Sequence, residues 1–187
     1  MNRRPVPEIA ALGNRSSRSK ARGASLLEAI AFLSIAAIVA AGATALFGVS
    51  FRSANGARLI DETNAIAANV RELYSLPSTG GYGALSMIDL YHHGAFPSTL
   101  QAAVAGGNVT LTNAWSGAVT LTLNAASLPV LTYGNVPKAV CMAALLSSGN
   151  WTSVTVNNVA QPTSGITAAQ AAVACAGNAN TIAWGFS

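Results

Sequence analysis

Arg22-Gly23-Ala24-Ser25-Leu26-Leu27-Glu28 is the stretch that decides the fold, because it sets one carboxylate at the mouth of an uncharged run, Ala29 to Phe51. A charge inside a bilayer-spanning helix costs about 2.5–3.5 kcal/mol. The run holds 23 residues. At about 1.5 Å per residue, it is long enough to cross a hydrocarbon core about 30 Å thick.

Working outward, Arg15, Arg18, Lys20 and Arg22 lead into Gly23, and with Arg3 and Arg4 they account for six of the ten basic residues. Past Gly23, Arg52, Arg58, Arg71 and Lys138 face Glu28, Asp61, Glu62, Glu72 and Asp89, a formal charge of −1 for residues 24–187. The overall charge of +4 is therefore an asymmetry of the leader, and it argues against nucleic acid as a partner. Positive charge just before a span stays cytoplasmic, so the bulk of the chain is exported. A secretory signal is cut beyond its apolar core. Here the small residue Gly23 precedes the core, and cleavage after it would leave the apolar helix as the new N-terminus.

Arg22-Gly23, then Ala24-Ser25-Leu26-Leu27-Glu28 and the apolar helix, resemble the prepilin motif of type IV pilins over about the first 50 residues. The long leader and a first mature residue of Ala resemble the type IVb branch, which includes bundle-forming and plasmid thin-pilus subunits. The resemblance implies cleavage between Gly23 and Ala24 by a prepilin peptidase, which also methylates the Ala24 amine. It implies further partners: inner-membrane assembly machinery, the membrane before assembly, and other copies of the chain in a helical homopolymer. The expected location is the inner membrane for the precursor and then a surface pilus. The division that follows is a leader 1–23, an apolar assembly helix 24–51, its amphipathic continuation 52–76 and a globular domain 77–187. Gly23 owes its place to the close backbone approach that glycine permits.

Beyond the span, Leu59, Thr63, Ile66, Val70 and Leu73 recur at steps of four and three, the mark of an amphipathic helix. Arg58, Asp61, Glu62, Asn69, Arg71 and Glu72 fall elsewhere around the turn, on a face expected to be solvated or to meet other subunits. No proline interrupts Ala24 to Leu76, and Pro77 with Gly80-Gly81 ends the helix. Gly42, Gly48 and Gly56 weaken it locally, and close packing explains glycine there; Gly42 to Gly48 is the segment expected to lose helicity in a filament.

The rest is rich in Gly, Ser, Thr and Asn. Residues 108–112 and 118–123 alternate apolar and hydroxyl side chains about a turn at 113–117 and read as an antiparallel hairpin. Weaker strands fall at 130–133, 151–156 and 181–186, giving a sheet of four to six strands, with short helices at 138–147 and 167–174. The fold class is α+β: a long N-terminal helical spine, transmembrane and then amphipathic, packed under an antiparallel sheet in a C-terminal domain.

Cys141 and Cys175 are the only cysteines, and export to an oxidising compartment makes one disulfide the economical reading, with two buried free thiols as the alternative. Closing that loop stabilises the fold by about 3–4 kcal/mol in the chain-entropy picture. Adjacent His92-His93 do not present both rings to one metal, and Gly80-Gly81-Tyr82-Gly83 lacks the lysine of a phosphate loop. The sequons Asn108-Val109-Thr110 and Asn150-Trp151-Thr152 carry no assigned role. Neither a catalytic set nor a metal or cofactor site is expected.

Glu28 offsets its burial by meeting a cation, and cleavage creates one at the Ala24 amine, either of a neighbouring subunit or, four residues away, of the same chain. The expected function is a pilin polymerised for adhesion, aggregation or conjugative contact. Alternatives are a minor pilin or type II secretion pseudopilin, and, in another class, a single-span anchored binding domain or enzyme.

Overall fold

The computed structural model describes residues 25–75, 81–147 and 149–187, with the side chains of 45 and 47–53 left out of the description. The chain divides into two compact units, Met1–Ala43 and Thr44–Ser187. Helix α1, Leu26–Tyr74, begins in the first and ends in the second. It ends at Tyr74, earlier than Leu76, and both Pro77 and Gly80 lie outside the described residues. Gly42 to Gly48 is helical in this chain.

In the second unit the four-and-three stripe is the buried one: Leu59, Thr63, Ile66 and Val70 are at most 2% exposed, and its Leu, Ile and Val side chains join the core formed by the strands. Burying side chains of this size is worth about 1.5–3 kcal/mol each, so the stripe is the helix's main source of stability. The strands are β1 (Gln101–Ala105), β2 (Asn108–Thr112), β3 (Ala118–Leu123), β4 (Pro129–Val136), β5 (Ser153–Val156), β6 (Val159–Gln161) and β7 (Asn180–Gly185). They form one antiparallel sheet in the order β1-β2-β3-β4-β7-β5-β6. Alternation decides its faces: Val109, Leu111, Val119 and Leu121 are buried against the helices, while Thr110, Thr120 and Thr122 are exposed.

Seven strands stand where four to six are expected. The two without a sequence signal are β1 and β6, the outer strands, whose residues are nearly all exposed and so lack an alternating burial demand. The β5–β6 hairpin turns on Asn157-Asn158, both at positive φ (50° and 67°), the left-handed pair that a two-residue turn requires and that Asn tolerates. Gly106-Gly107 does the same between β1 and β2, with φ of 56° and 78°. In the 113–117 turn, the Asn113 carboxamide oxygen accepts from the Trp115 and Gly117 amides, both at 2.9 Å, and its nitrogen donates to the Gly134 carbonyl at 2.8 Å.

Helices α2 (Met87–His92), α3 (Lys138–Leu146) and α4 (Ala168–Ala174) complete the unit, with a 3-10 turn at Gly81–Ala84 in place of a simple helix exit. No periodic signal marks α2, six residues capped by Ser86. Thr167 and Gln170 form a capping box at the start of α4. Cys141 on α3 is bonded to Cys175, the residue that ends α4, with Cα atoms 5.9 Å apart, so the bridge ties the two helices together.

Three side chains of α1 depart from the solvated face expected of them: Glu62, Arg71 and the half-buried Asn69, which donates to the Ala95 carbonyl at 2.9 Å. Glu62 is 7% exposed, and Arg58 donates to it at 2.9 Å while also reaching the Thr99 carbonyl at 3.2 Å. The carboxylate lies beside buried Tyr133, whose ionisation is pushed far above the ordinary tyrosine range by burial first and by Glu62 second. Arg71 donates to the Ser187 carbonyl at 2.7 Å and the Asn150 carbonyl at 3.1 Å, and its guanidinium lies 5.1 Å over the Phe186 ring. A four-and-three count places Glu62 and Arg71 beside the apolar stripe, where long side chains cover it with their stems and pair their heads. Asp61 and Glu72 are exposed as expected.

Gly56 is buried because α3 crosses it: a Cβ there would lie 2.7 Å from Ala143 Cβ. Gly56→Leu should therefore lower stability by about 1–3 kcal/mol through overpacking, although leucine is the better helix former. Thermal melting of the detergent-solubilised chain measures it, and an unchanged or higher melting temperature would contradict this packing.

Candidate processing and assembly site

Gly23 and Ala24 lie outside the described residues, so the geometry starts at Ser25. The Glu28 amide donates to Ser25 Oγ at 3.2 Å, and the Ala29 amide donates to the Ser25 carbonyl at 3.0 Å. Ser25 is thus the N-cap of α1, and Glu28 stands three positions later, the S-x-x-E spacing of a capping box. The sequence carried that signal in plain view, and a reading of Glu28 as a membrane charge alone passes over it. At this position the carboxylate also meets the positive end of the helix dipole, worth about 0.3–1 kcal/mol. Glu28 is exposed and, among the described residues, forms no ion pair.

Downstream, Leu26–Thr44 is long and apolar enough to cross a membrane. Its large side chains are exposed on every side: Leu26 is 82% exposed, and Ile30, Phe32, Leu33, Ile35, Ile38 and Val39 are all exposed. A helix that is apolar all round needs a nonpolar surrounding, either lipid or other helices. Ser34 in this stretch donates its hydroxyl to the Ile30 carbonyl at 2.8 Å, so it adds no unpaired polar group.

Elsewhere the described residues bring no group of three or more His, Cys, Asp or Glu together. His92 closes α2 and His93 follows it, the first ring lying against Tyr91. Cys141 and Cys175 are fully buried in their bridge.

A spine helix with an uncovered apolar start, an antiparallel sheet over its second half and a disulfide near the C-terminus define a pilin-type subunit. The type IV pilin family described as PilS N terminal matches residues 53–187, and the chain belongs to it. That match begins beyond the prepilin-like motif, so the motif and the family speak from different parts of the chain. The fold is also that of a solved structure, the type IV b pilin from Salmonella typhi, with a TM-score of 0.54 at 18% identity, covering 68% of this chain and 96% of that one. Among curated proteins none matches. The chain is a pilin subunit of that family, with the fold that the type IV b pilin adopts.

Removing the cap tests the local geometry. Ser25→Ala should weaken the first turn by about 1 kcal/mol, seen as roughly fivefold faster hydrogen exchange at the Glu28 amide in micelles. Unchanged exchange at that amide would mean that Ser25 does not cap the helix.

Proposed function

We propose that this pilin is made as a prepilin, cut between Gly23 and Ala24, methylated on the new Ala24 amine and polymerised into a surface fibre. The observation that carries this is the uncovered apolar helix with one carboxylate in its first turn. In lipid that carboxylate is a liability, whereas in a bundle of copies it finds a cation four residues upstream on a neighbour. The helix dipole offsets part of the burden and the intermolecular pair offsets the rest.

The parts then take separate tasks. Residues 1–23 keep the basic leader in the cytoplasm for the prepilin peptidase. Residues 24–51 hold the subunit in the inner membrane for the assembly machinery and afterwards form the fibre core, 52–76 carry the domain, and 77–187 form the fibre surface. Residues 77–187 carry only Asp89 and Lys138 as formal charges. Such a surface suits close fibre-to-fibre or cell-to-cell contact in adhesion, aggregation or conjugation, because little like-charge repulsion opposes approach.

Gly23→Val should leave full-length chain in the inner membrane, since a branched side chain blocks the peptidase's backbone approach. Glu28→Ala should be cut normally and yet yield about tenfold less sheared fibre, the effect of about 1.4 kcal/mol lost per added subunit. Immunoblots of membrane and sheared fractions read both. Normal fibre yield from Glu28→Ala would defeat the charge-pairing account.

A further inference from the structure

The sheet leaves two outer strands, β1 and β6, at opposite ends. Natural edges are guarded by charge, proline or a bulge. Strand β1, Gln-Ala-Ala-Val-Ala, has none of these, and all five of its residues are exposed. Strand β6, Val-Ala-Gln, is guarded only by Pro162 beyond its end.

Val156, Val159 and Gln161 face Ala169, Val173 and Ala174 of α4 across an open groove of about 510 Å³ that contains no formal charge. Two of its valines stand out from the domain: Val159 is 62% exposed and Val173 78%. The groove is therefore an unpaired strand edge alongside an apolar trough, the arrangement that accepts an added strand, with main-chain bonds for affinity and a pocket for alternate side chains.

The other end of the sheet carries a strand of that description. Val104 pairs with buried Val109, and Ala102 with buried Leu111, so both lie on the helix-facing side of β1. Val104 is 50% exposed. Val159 pairs with buried Val156 and lies on the same side of the sheet.

We propose that the β6 edge and the β6–α4 groove take β1 of a second copy of this chain, with the incoming Val104 beside Val159 and Val173. This rests on the reading of the chain as a polymerising subunit. The contact joins two unlike patches, and such a contact repeats without closing, which makes an open filament. Its size fits that use. An added strand about 17 Å long and one sheet deep covers far less than the ~800 Å² per partner of a stable free dimer. The pairing is too small to hold two isolated subunits and gains its strength from repetition along a polymer whose helices are already joined.

Cysteine pairs test it in whole fibres, because neighbouring strands of a sheet lie about 4.7–4.9 Å apart, within disulfide reach. Fibres of the double variants Val104→Cys with Val159→Cys, or Val104→Cys with Val173→Cys, should give a ladder of linked subunits on a non-reducing gel after mild oxidation. Each single variant should run as a monomer. Dimers from Val104→Cys alone would set β1 against β1 and overturn the proposal, and so would fibres of both double variants that give no ladder. As a second readout, Val173→Lys at its exposed position should lower fibre yield about tenfold by burying an unpaired charge without changing the melting temperature. Unchanged yield overturns the proposal while leaving the pilin reading in place, whereas absence of fibres from the parent chain removes both.

Discussion

Burial of the Leu59, Thr63, Ile66 and Val70 stripe against the sheet is the interaction on which the rest of the second unit depends. The sheet has one apolar face and needs a cover, and α1 has one apolar stripe and needs a floor. Once they meet, Gly56 lets α3 lie against the same helix, the bridge from Cys141 to Cys175 brings α4 to α3, and Arg71 fastens the final residues over Phe186. Toward its N-terminus the same helix has no such stripe, and from Leu26 to Thr44 its large apolar side chains are exposed. That change of pattern within one helix separates the folded domain from the segment that seeks lipid or other copies.

Polar groups near the core show how the cover is held in register. Glu62 would be an unpaired buried charge without Arg58, and the Arg58 guanidinium also takes the Thr99 carbonyl, so one side chain joins α1 to the segment entering β1. Asn180 serves the other end. Its amide nitrogen donates to the Val136 and Gly177 carbonyls at 3.2 Å and 2.7 Å, and its oxygen accepts from Asn157 at 3.0 Å. Buried polar groups satisfied in this way favour one arrangement over its near neighbours, because any slip leaves a donor or acceptor without a partner.

Much of this was legible in the sequence, for a physical reason. The stripe on α1, the hairpin of β2 and β3 and the helices around the two cysteines all obey a burial period, and a period is visible in residue order. Strands β1 and β6 obey none because they are edges. Asn157-Asn158 between Val156 and Val159 was the available sign of the β5–β6 hairpin, since two consecutive left-handed residues favour that pair. The partners of Glu62 and Arg71 were not legible, because a charge beside an apolar stripe can turn to water or to a distant carbonyl, and only the loops at 97–99 and 149–150 decide which. At the N-terminus, Ser25 and Glu28 spelled a helix cap as well as a pilin motif. The two roles are compatible, because a carboxylate in the first turn serves the dipole in the single chain, and the proposed fibre would turn the same exposed group to a neighbour's amine.

The central claim is that this chain is cut at Gly23 and polymerised, and the most direct measurement is the intact mass and N-terminal sequence of the subunit in sheared surface fibres, taken without reductant. The account requires a chain starting at Ala24, heavier by one methyl group and lighter by the two hydrogens lost to the Cys141–Cys175 bridge. A chain starting at Met1 and confined to the membrane fraction would contradict it.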